Sequence, residues 1–278
     1  LVSCHVLLRY RKLPTERFFG IGADAPFSDE TNFTQEQTSV GVSLGMKLPS
    51  NARMSVRAGY EVTHIAGGRE DELLSTTDQY TEAFLPGLEE QVDLIHLSVA
   101  LTKDRKNRPG NPSRGYEAAL SGGIYRQAGE DRFGFVKTTA DFIGVLPIVY
   151  ERVLVFRIAG ETTKPFDNRE IPFYYLSELG RKETIRGFER GRFRDRDMLL
   201  ASMEYRYPIW RKRSESGVDF LLFADAGQVS PDLFREAAMD HFRTGFGFGF
   251  RLWDEEGLIA KFEVAKSVDQ WRFYFTLN

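Results

Sequence analysis

The sequence has little of what marks several common classes of protein. It contains a single cysteine, Cys4, among 278 residues, so the chain builds no internal disulfide framework. It has no run of 18 or more apolar residues, which excludes a transmembrane helix. The formal net charge is −3, and the absence of a basic excess gives no support for nucleic acid as a partner.

Signatures of catalysis are also scarce. No G-x-S-x-G nucleophile motif is present, and Ser214 and Ser216 lie in a polar stretch without a nearby histidine. The paired acids Asp195 and Asp197 are interpreted as polar loop edges. The glycines of Gly245–Gly249 alternate with phenylalanine and lack the strand–turn–helix context of a phosphate-binding loop. The four histidines show no metal-ligand spacing: His5, His64, His96 and His241. The sequence therefore predicts neither an enzyme nor a metal site.

What the chain does have is alternation of apolar and polar residues. This period of two predicts strands of about 9–15 residues separated by turns rich in glycine, proline and asparagine. In a membrane barrel only alternate residues face lipid, so the low mean hydropathy of −0.35 is compatible with one. A short helix is predicted at Pro231–Ala238, which begins with a proline in its first turn.

We count about 13 strands, roughly eight before the arginine-rich segment Glu183–Asp197 and five after it. At the N-terminus we predict a strand over Leu1–Tyr10, a tight turn over Arg11–Thr15 and a short strand over Arg17–Ala23. The long polar stretch Gly67–Glu90 has the composition of an outside loop.

The segment Glu183–Asp197 (ETIRGFERGRFRDRD) concentrates arginine between two predicted strands. On the strand that follows, Met198–Tyr207, Glu204 falls on the face opposite the apolar residues. On the next strand, Val218–Gln228, Asp225 falls on the same side. An arginine on an inward-folded loop needs such partners, because an unpaired buried charge costs about 3–5 kcal/mol. We therefore expect this loop to enter the barrel and meet both acids.

Four short motifs, in this order, resemble those of a known family. They are Ile185–Phe188 (IRGF), Ser202–Pro208 (SMEYRYP), Phe223–Val229 (FADAGQV) and Gly245–Arg251 (GFGFGFR). The set resembles the bacterial surface antigen family, the outer-membrane barrels of the BamA and TamA type. RGF alone is a weak tripeptide, whereas the ordered set is specific. The resemblance covers most of the chain and is densest from about Asp93 onward.

The resemblance implies roles for five residues. In the family, the RGF tip belongs to the sixth extracellular loop, which folds back into the lumen, and its arginine contacts acids on the barrel wall. By position, Arg186, Gly187 and Phe188 match the tip, and Glu204 and Asp225 match the acids. The other arginines of the segment are expected to form a solvated basic stem or to line the lumen: Arg190, Arg192, Arg194 and Arg196.

The implied fold is all-β, a transmembrane antiparallel β-barrel. Family barrels have sixteen strands with the conserved loop between the eleventh and the twelfth. Five strands are predicted after the loop, as in the family. Eight are predicted before it, three fewer than the eleven of the family. We therefore expect residues 1–278 to form one barrel domain of about 12–13 strands, a fragment that lacks the first strands and any periplasmic domains before them.

The implied function is insertion, assembly or translocation of outer-membrane proteins at a bacterial outer membrane. In this interpretation the barrel closes through a weak seam, and its closing strand is Trp271–Leu277, with Trp271, Phe273 and Phe275 outward. A free strand edge can template an incoming strand. The implied partners are outer-membrane lipid, unfolded or nascent client proteins and periplasmic or lipoprotein accessory proteins. No cofactor is implied.

Two other interpretations stay open on the sequence. The barrel could be an anchor or pore for a fused or secreted N-terminal passenger domain. It could also be a soluble β-barrel that binds a small ligand. In that case Phe246, Phe248 and Phe250 would form an interior core instead of a lipid-facing stripe. Periodicity alone does not separate these interpretations.

Overall fold

The barrel wall is a single antiparallel sheet of twelve strands. The computed structural model describes residues 2–108, 110–212, 216–236 and 241–277. Each wall strand pairs with its neighbours along the chain, except that β7 pairs with β10 because β8 and β9 form a separate two-stranded sheet between them. In chain order the strands are β1 (Val2–Phe18), β2 (Thr31–Leu48), β3 (Ala52–Gly67), β4 (Val92–Asp104), β5 (Gly115–Gln127), β6 (Gly134–Pro147), β7 (Val153–Pro165), β8 (Ser177–Leu179), β9 (Phe193–Asp195), β10 (Asp197–Lys212), β11 (Ser216–Ser230), β12 (Arg243–Asp254), β13 (Leu258–Lys266) and β14 (Trp271–Leu277).

The two faces of this sheet have opposite chemistry. On β12, Phe246, Phe248 and Phe250 are 58%, 41% and 43% exposed on the outside. Charged side chains are instead buried on the inner face, for example Asp225 and Glu263. Apolar residues on the outside and ionic residues on the inside are typical of a barrel that spans a lipid bilayer. The predicted all-β transmembrane barrel is therefore confirmed, and the soluble barrel with an interior phenylalanine core is wrong.

One part of the strand prediction was wrong. Seven wall strands, not eight, precede the arginine-rich segment, because β1 continues through the predicted turn Arg11–Thr15. A bulge between Leu13 and Glu16 takes up one extra residue in the pairing with β2. Pro14 lies in this bulge, where its missing N–H leaves no gap in the ladder, and its carbonyl oxygen accepts a 3.2 Å hydrogen bond from Thr34 Oγ1. Leu1 lies outside the described residues.

The described helices are short. The helix α2 covers Leu233–Glu236 within the predicted Pro231–Ala238, of which residues 237–238 lie outside the described part of the chain. The helix α1 covers Thr76–Gln79, and three-residue 3₁₀ turns occur at Phe27–Asp29, Pro49–Asn51 and Phe173–Tyr175. No helix within the described residues has the length and apolar character needed to cross a membrane.

The loops on one side of the barrel form a packed cover. The loop between β3 and β4, predicted as a polar outside loop, buries Leu85 and Leu88 completely. They join Phe18 and Phe33 of the wall and Phe173 of the long segment between β7 and β10 in one apolar cluster. We call this side the loop end and the opposite side, with its tight turns, the turn end.

The sheet has two outer strands in the described part of the chain. There β1 is paired with β2 and β14 with β13, and no register pair joins β1 to β14. Seven register pairs join β14 to β13, whereas 15 join β1 to β2. The C-terminal margin of the wall is therefore held by a much shorter ladder than its N-terminal margin.

The lipid-facing assignment of β12 gives a stability prediction. Phe248→Arg, in the middle of the strand, should lower the free energy of unfolding in lipid vesicles by about 2–4 kcal/mol, because a charge there would enter hydrocarbon. Phe248→Leu keeps an apolar side chain and serves as the matched control. Urea unfolding of both variants gives the difference, and equal stabilities would mean that this face is not in contact with lipid.

Candidate functional site

The segment between β7 and β10, residues 166–196, folds into the barrel, and we call it the lumenal loop. The paired strands β8 and β9 form its stem, and the IRGF motif lies in its tip. Ile185 and Phe188 are buried against Leu200 of β10 and Val229 of β11. The apolar residues of the tip are thus packed on the inner wall, which fixes the depth of Arg186 between them.

Arg186 and Asp225 form a two-pronged ion pair. Arg186 Nε donates to Asp225 Oδ2 and Arg186 Nη2 donates to Oδ1, each at 2.7 Å. The backbone N–H of Arg186 also donates to Oδ2 at 3.1 Å. Both side chains are buried, so this geometry combines charge attraction with the matching planes of guanidinium and carboxylate.

The remaining guanidinium donors of Arg186 are also satisfied. Nη1 lies 2.7 Å from Glu263 Oε1 and 3.5 Å from Glu204 Oε2. Nη2 is 3.4 Å from Ser202 Oγ, and the guanidinium carbon lies 3.5 Å from the centre of the Phe223 ring. All five N–H donors therefore have an acceptor, as a buried arginine requires.

The charges around Arg186 balance within a small network. Glu204 also meets Arg206 at 2.6 Å and Lys261 at 3.0 Å, and Lys261 meets Glu263 at 2.9 Å. Arg186 is on the loop and not on a spanning strand. Burial acts to lower its pKa, but the hydrogen bonds and charge of Asp225, with the charges of Glu263 and Glu204, outweigh burial and raise the pKa above the usual value. The guanidinium stays charged.

Gly187 continues the tip toward the last strands. Its φ is +96°, and a Cβ there would lie 2.9 Å from the carbonyl carbon of Lys266, so both the conformation and the space require glycine. Its N–H donates to Tyr274 Oη at 3.0 Å, and its carbonyl oxygen accepts from Ser267 Oγ at 2.7 Å. The tip is therefore attached to β14 and to the turn before it.

The inner face of β12 is shaped to receive the tip. A Cβ on Gly245 would lie 1.9 Å from the carbonyl oxygen of Arg186, far inside van der Waals contact. The absence of a side chain at Gly245 therefore makes room for the tip in the lumen.

The structure brings the predicted tip residues and both predicted acids together, with Phe188 in the apolar cluster beside Phe193. Glu263 was missed, although the alternation on β13 that points Phe262 and Val264 outward also points Glu263 inward. The outward aromatics of β14 lie apart from this cluster and are 57%, 68% and 65% exposed: Trp271, Phe273 and Phe275.

Of the two interpretations of the remaining arginines, a solvated stem or a lumen lining, the solvated stem does not describe two of them. Arg192 and Arg194 are only 6% and 3% exposed. Arg192 pairs with Asp269 at 2.8 Å, and Arg194 pairs with Glu178 at 2.9 Å. Both lie against phenylalanine rings, where a planar guanidinium packs well. The other two are exposed: Arg190 and Arg196.

The polar loop edges predicted at Asp195 and Asp197 are also buried. Asp197 accepts hydrogen bonds from Lys164 Nζ and Thr162 Oγ1, both at 2.8 Å. A buried carboxylate with a cation and a hydroxyl partner fixes the point where the lumenal loop rejoins the wall.

Loss of the central guanidinium should destabilise the barrel. Arg186→Ala leaves Glu204, Asp225 and Glu263 buried beside too few cations, so we expect a loss of about 3–5 kcal/mol and a lower temperature for the change in electrophoretic mobility on heating. Arg181→Ala in the same loop is the control, because Arg181 is 43% exposed and its acid partner is 3.7 Å away. Equal behaviour of the two variants would contradict the tight pairing.

Gly245→Ala should displace the loop tip without removing any charge. The added methyl group collides with the backbone of Arg186, so proteolysis of the lumenal loop should become faster. Gly122→Ala on β5 is the matched control, since a Cβ at Gly122 meets nothing within 4 Å. Unchanged proteolysis of the Gly245 variant would show that the tip does not rest on β12.

Comparison with known proteins agrees with this fold. A structure of BamA from Haemophilus ducreyi lacking POTRA domains 1–3 superposes with a TM-score of 0.70 at 20% sequence identity. The match covers 98% of this chain and 58% of that one, so the chain spans less than two thirds of its solved relative. No curated protein matches the sequence. Residues 14–275 match the Omp85 superfamily domain. The chain therefore belongs to the Omp85 superfamily.

Proposed function

We propose that this barrel inserts or translocates other proteins at a bacterial outer membrane, and that β14 is the strand at which a client strand first pairs. The observation that carries the proposal is the short ladder at the C-terminal margin, where seven residues of β14 pair with β13. An outer strand offers unpaired N–H and C=O groups, and these can pair with an incoming strand.

The second part of the proposal concerns the lumenal loop. Arg186 meets Glu204 of β10, Asp225 of β11 and Glu263 of β13, and Gly187 meets Tyr274 of β14. With Gly245 of β12, against which the backbone of Arg186 lies, the tip thus meets all five strands that follow the loop. We propose that it acts as a lumenal anchor that holds these strands as one unit, so that β14 can exchange partners on its outer side without loss of the wall behind it.

The outward aromatics of β14 fit this role. Trp271, Phe273 and Phe275 project into lipid on the strand that would receive a client. Client strands carry the same lipid-facing alternation, so pairing would place apolar residues side by side on the outside. The partners of the barrel under this proposal are outer-membrane lipid, unfolded outer-membrane clients and accessory proteins on the periplasmic side.

The proposal is tested by crosslinking in proteoliposomes that contain the full-length protein. Cys4, which is exposed, is replaced by serine, and a single cysteine is introduced as Phe273→Cys on β14. A client stalled during insertion, with a cysteine in its last strand, should form a disulfide with this position. Phe248→Cys is the matched control, because it also faces outward but lies on β12, between two paired strands.

Crosslinks at position 273 well above those at 248 would support templating by β14. If the client inserts but position 273 crosslinks no more than position 248, β14 is not the strand at which the client first pairs. A barrel that promotes no client insertion, but exports a domain fused before it, would favour the alternative role as a passenger anchor or pore.

A further inference from the structure

A second site lies at the turn end of the barrel, away from the lumenal loop tip. The turn between β4 and β5 crosses beneath the lumen to the opposite wall. Arg206 Nη1 donates to the carbonyl oxygen of Pro112 at 3.3 Å, and Arg251 Nη1 donates to Asn111 Oδ1 at 3.2 Å. Between this turn and strands β7, β10, β11 and β12 lies a cavity of about 260 Å³, which we call the turn-end cavity.

The turn-end cavity has more cations than anions. Two of its arginines are neutralised within the wall, since Arg206 pairs with Glu204 at 2.6 Å and Arg211 pairs with Asp219 at 2.6 Å. Two further lining arginines, Arg108 and Arg152, have no acidic partner within the described residues. The only other lining acid there is Glu151, which is 68% exposed and already lies 3.3 Å from Arg211.

Hydrogen-bond donors without acceptors also surround the cavity. Trp253, a lining residue that is 4% exposed, buries its indole N–H with no hydrogen-bond partner. Arg152 likewise buries Nε without a partner. An unsatisfied buried donor is costly, and an anion that carries several oxygen atoms can satisfy more than one donor of a positively charged cavity.

The surface outside the cavity is apolar and aromatic. The guanidinium carbon of Arg152 lies 5.0 Å from the ring centre of Tyr207 and 5.7 Å from that of Tyr150. These rings belong to an exposed apolar and aromatic patch at the rim of the wall: Ile148, Val149, Tyr150, Tyr207, Ile209 and Trp210. Tyrosine and tryptophan at the end of a spanning strand mark the level of lipid headgroups.

We propose that the turn-end cavity binds the headgroup phosphate of an anionic phospholipid, with Arg108, Arg152 and the Trp253 N–H as donors and the acyl chains against the rim patch. The charge excess selects an anion, and the adjoining patch favours a lipid phosphate over free phosphate. The inference depends on the barrel spanning a membrane and does not depend on the proposed function.

The test is native mass spectrometry of the purified full-length protein in a non-ionic detergent, with phosphatidylglycerol or phosphatidylcholine added. The wild-type protein should retain one phosphatidylglycerol in preference to phosphatidylcholine. The double variant Arg108→Gln, Arg152→Gln should bind it about tenfold more weakly. Neither substitution strips a buried carboxylate of its partner, so the barrel should still fold. Arg53→Gln, an exposed arginine at the same end on β3, is the control and should bind normally.

Equal retention by the double variant and the wild type would overturn the site. If millimolar inorganic phosphate displaced the lipid, the site would bind phosphate in general and not a phospholipid, because a bound acyl chain adds affinity that free phosphate lacks. Lipid retention is measured without a client, so the two proposals are tested separately. Loss of the lipid from the double variant, with client insertion unchanged, would support the lipid site. Failure of the wild-type protein to insert clients, with lipid retention unchanged, would count against the proposed function alone.

Discussion

The rest of the barrel depends on one buried guanidinium. Arg186 lies in the lumen at the level where three wall strands each present a carboxylate, and a charge in that position is stable only when every donor has an acceptor. This requirement explains several otherwise separate features. It fixes the depth of the lumenal loop, it explains the inward acids, and it explains why Gly245 has no side chain where the backbone of Arg186 passes.

The strands, Arg186 and two of its three acidic partners were predictable from the sequence, because they depend on short-range spacing. Alternation places Glu204 and Asp225 on the inner face, and the IRGF motif points to Arg186. Glu263 also alternates inward, but it lies 77 residues from Arg186, and no local pattern indicates that pairing. The same distance of 77 residues separates Arg192 from Asp269, which is why the sequence left a solvated stem and a lumen lining both open for Arg192.

The error in β1 has a related cause. Proline, threonine and charged residues near Pro14 are typical both of a tight turn and of a bulge. What decides between them is the partner strand, because β2 continues past this point and offers a ladder on which the chain can stay extended. A strand boundary of this kind depends on contacts between strands, whereas the position of a polar or apolar residue on a face depends only on the strand itself.

The wide sequence separation of the Arg186 partners has a consequence for biogenesis. Tyr274, which receives the N–H of Gly187, lies 87 residues further along the chain. The lumenal loop therefore reaches its final position only after the strands up to β14 have been made, and until then Arg186 needs water or another anion as a substitute. Docking of the tip therefore depends on the last two strands. A chain truncated before β13 could form most of its hairpins, but Arg186 would lack Glu263 and Gly187 would lack Tyr274.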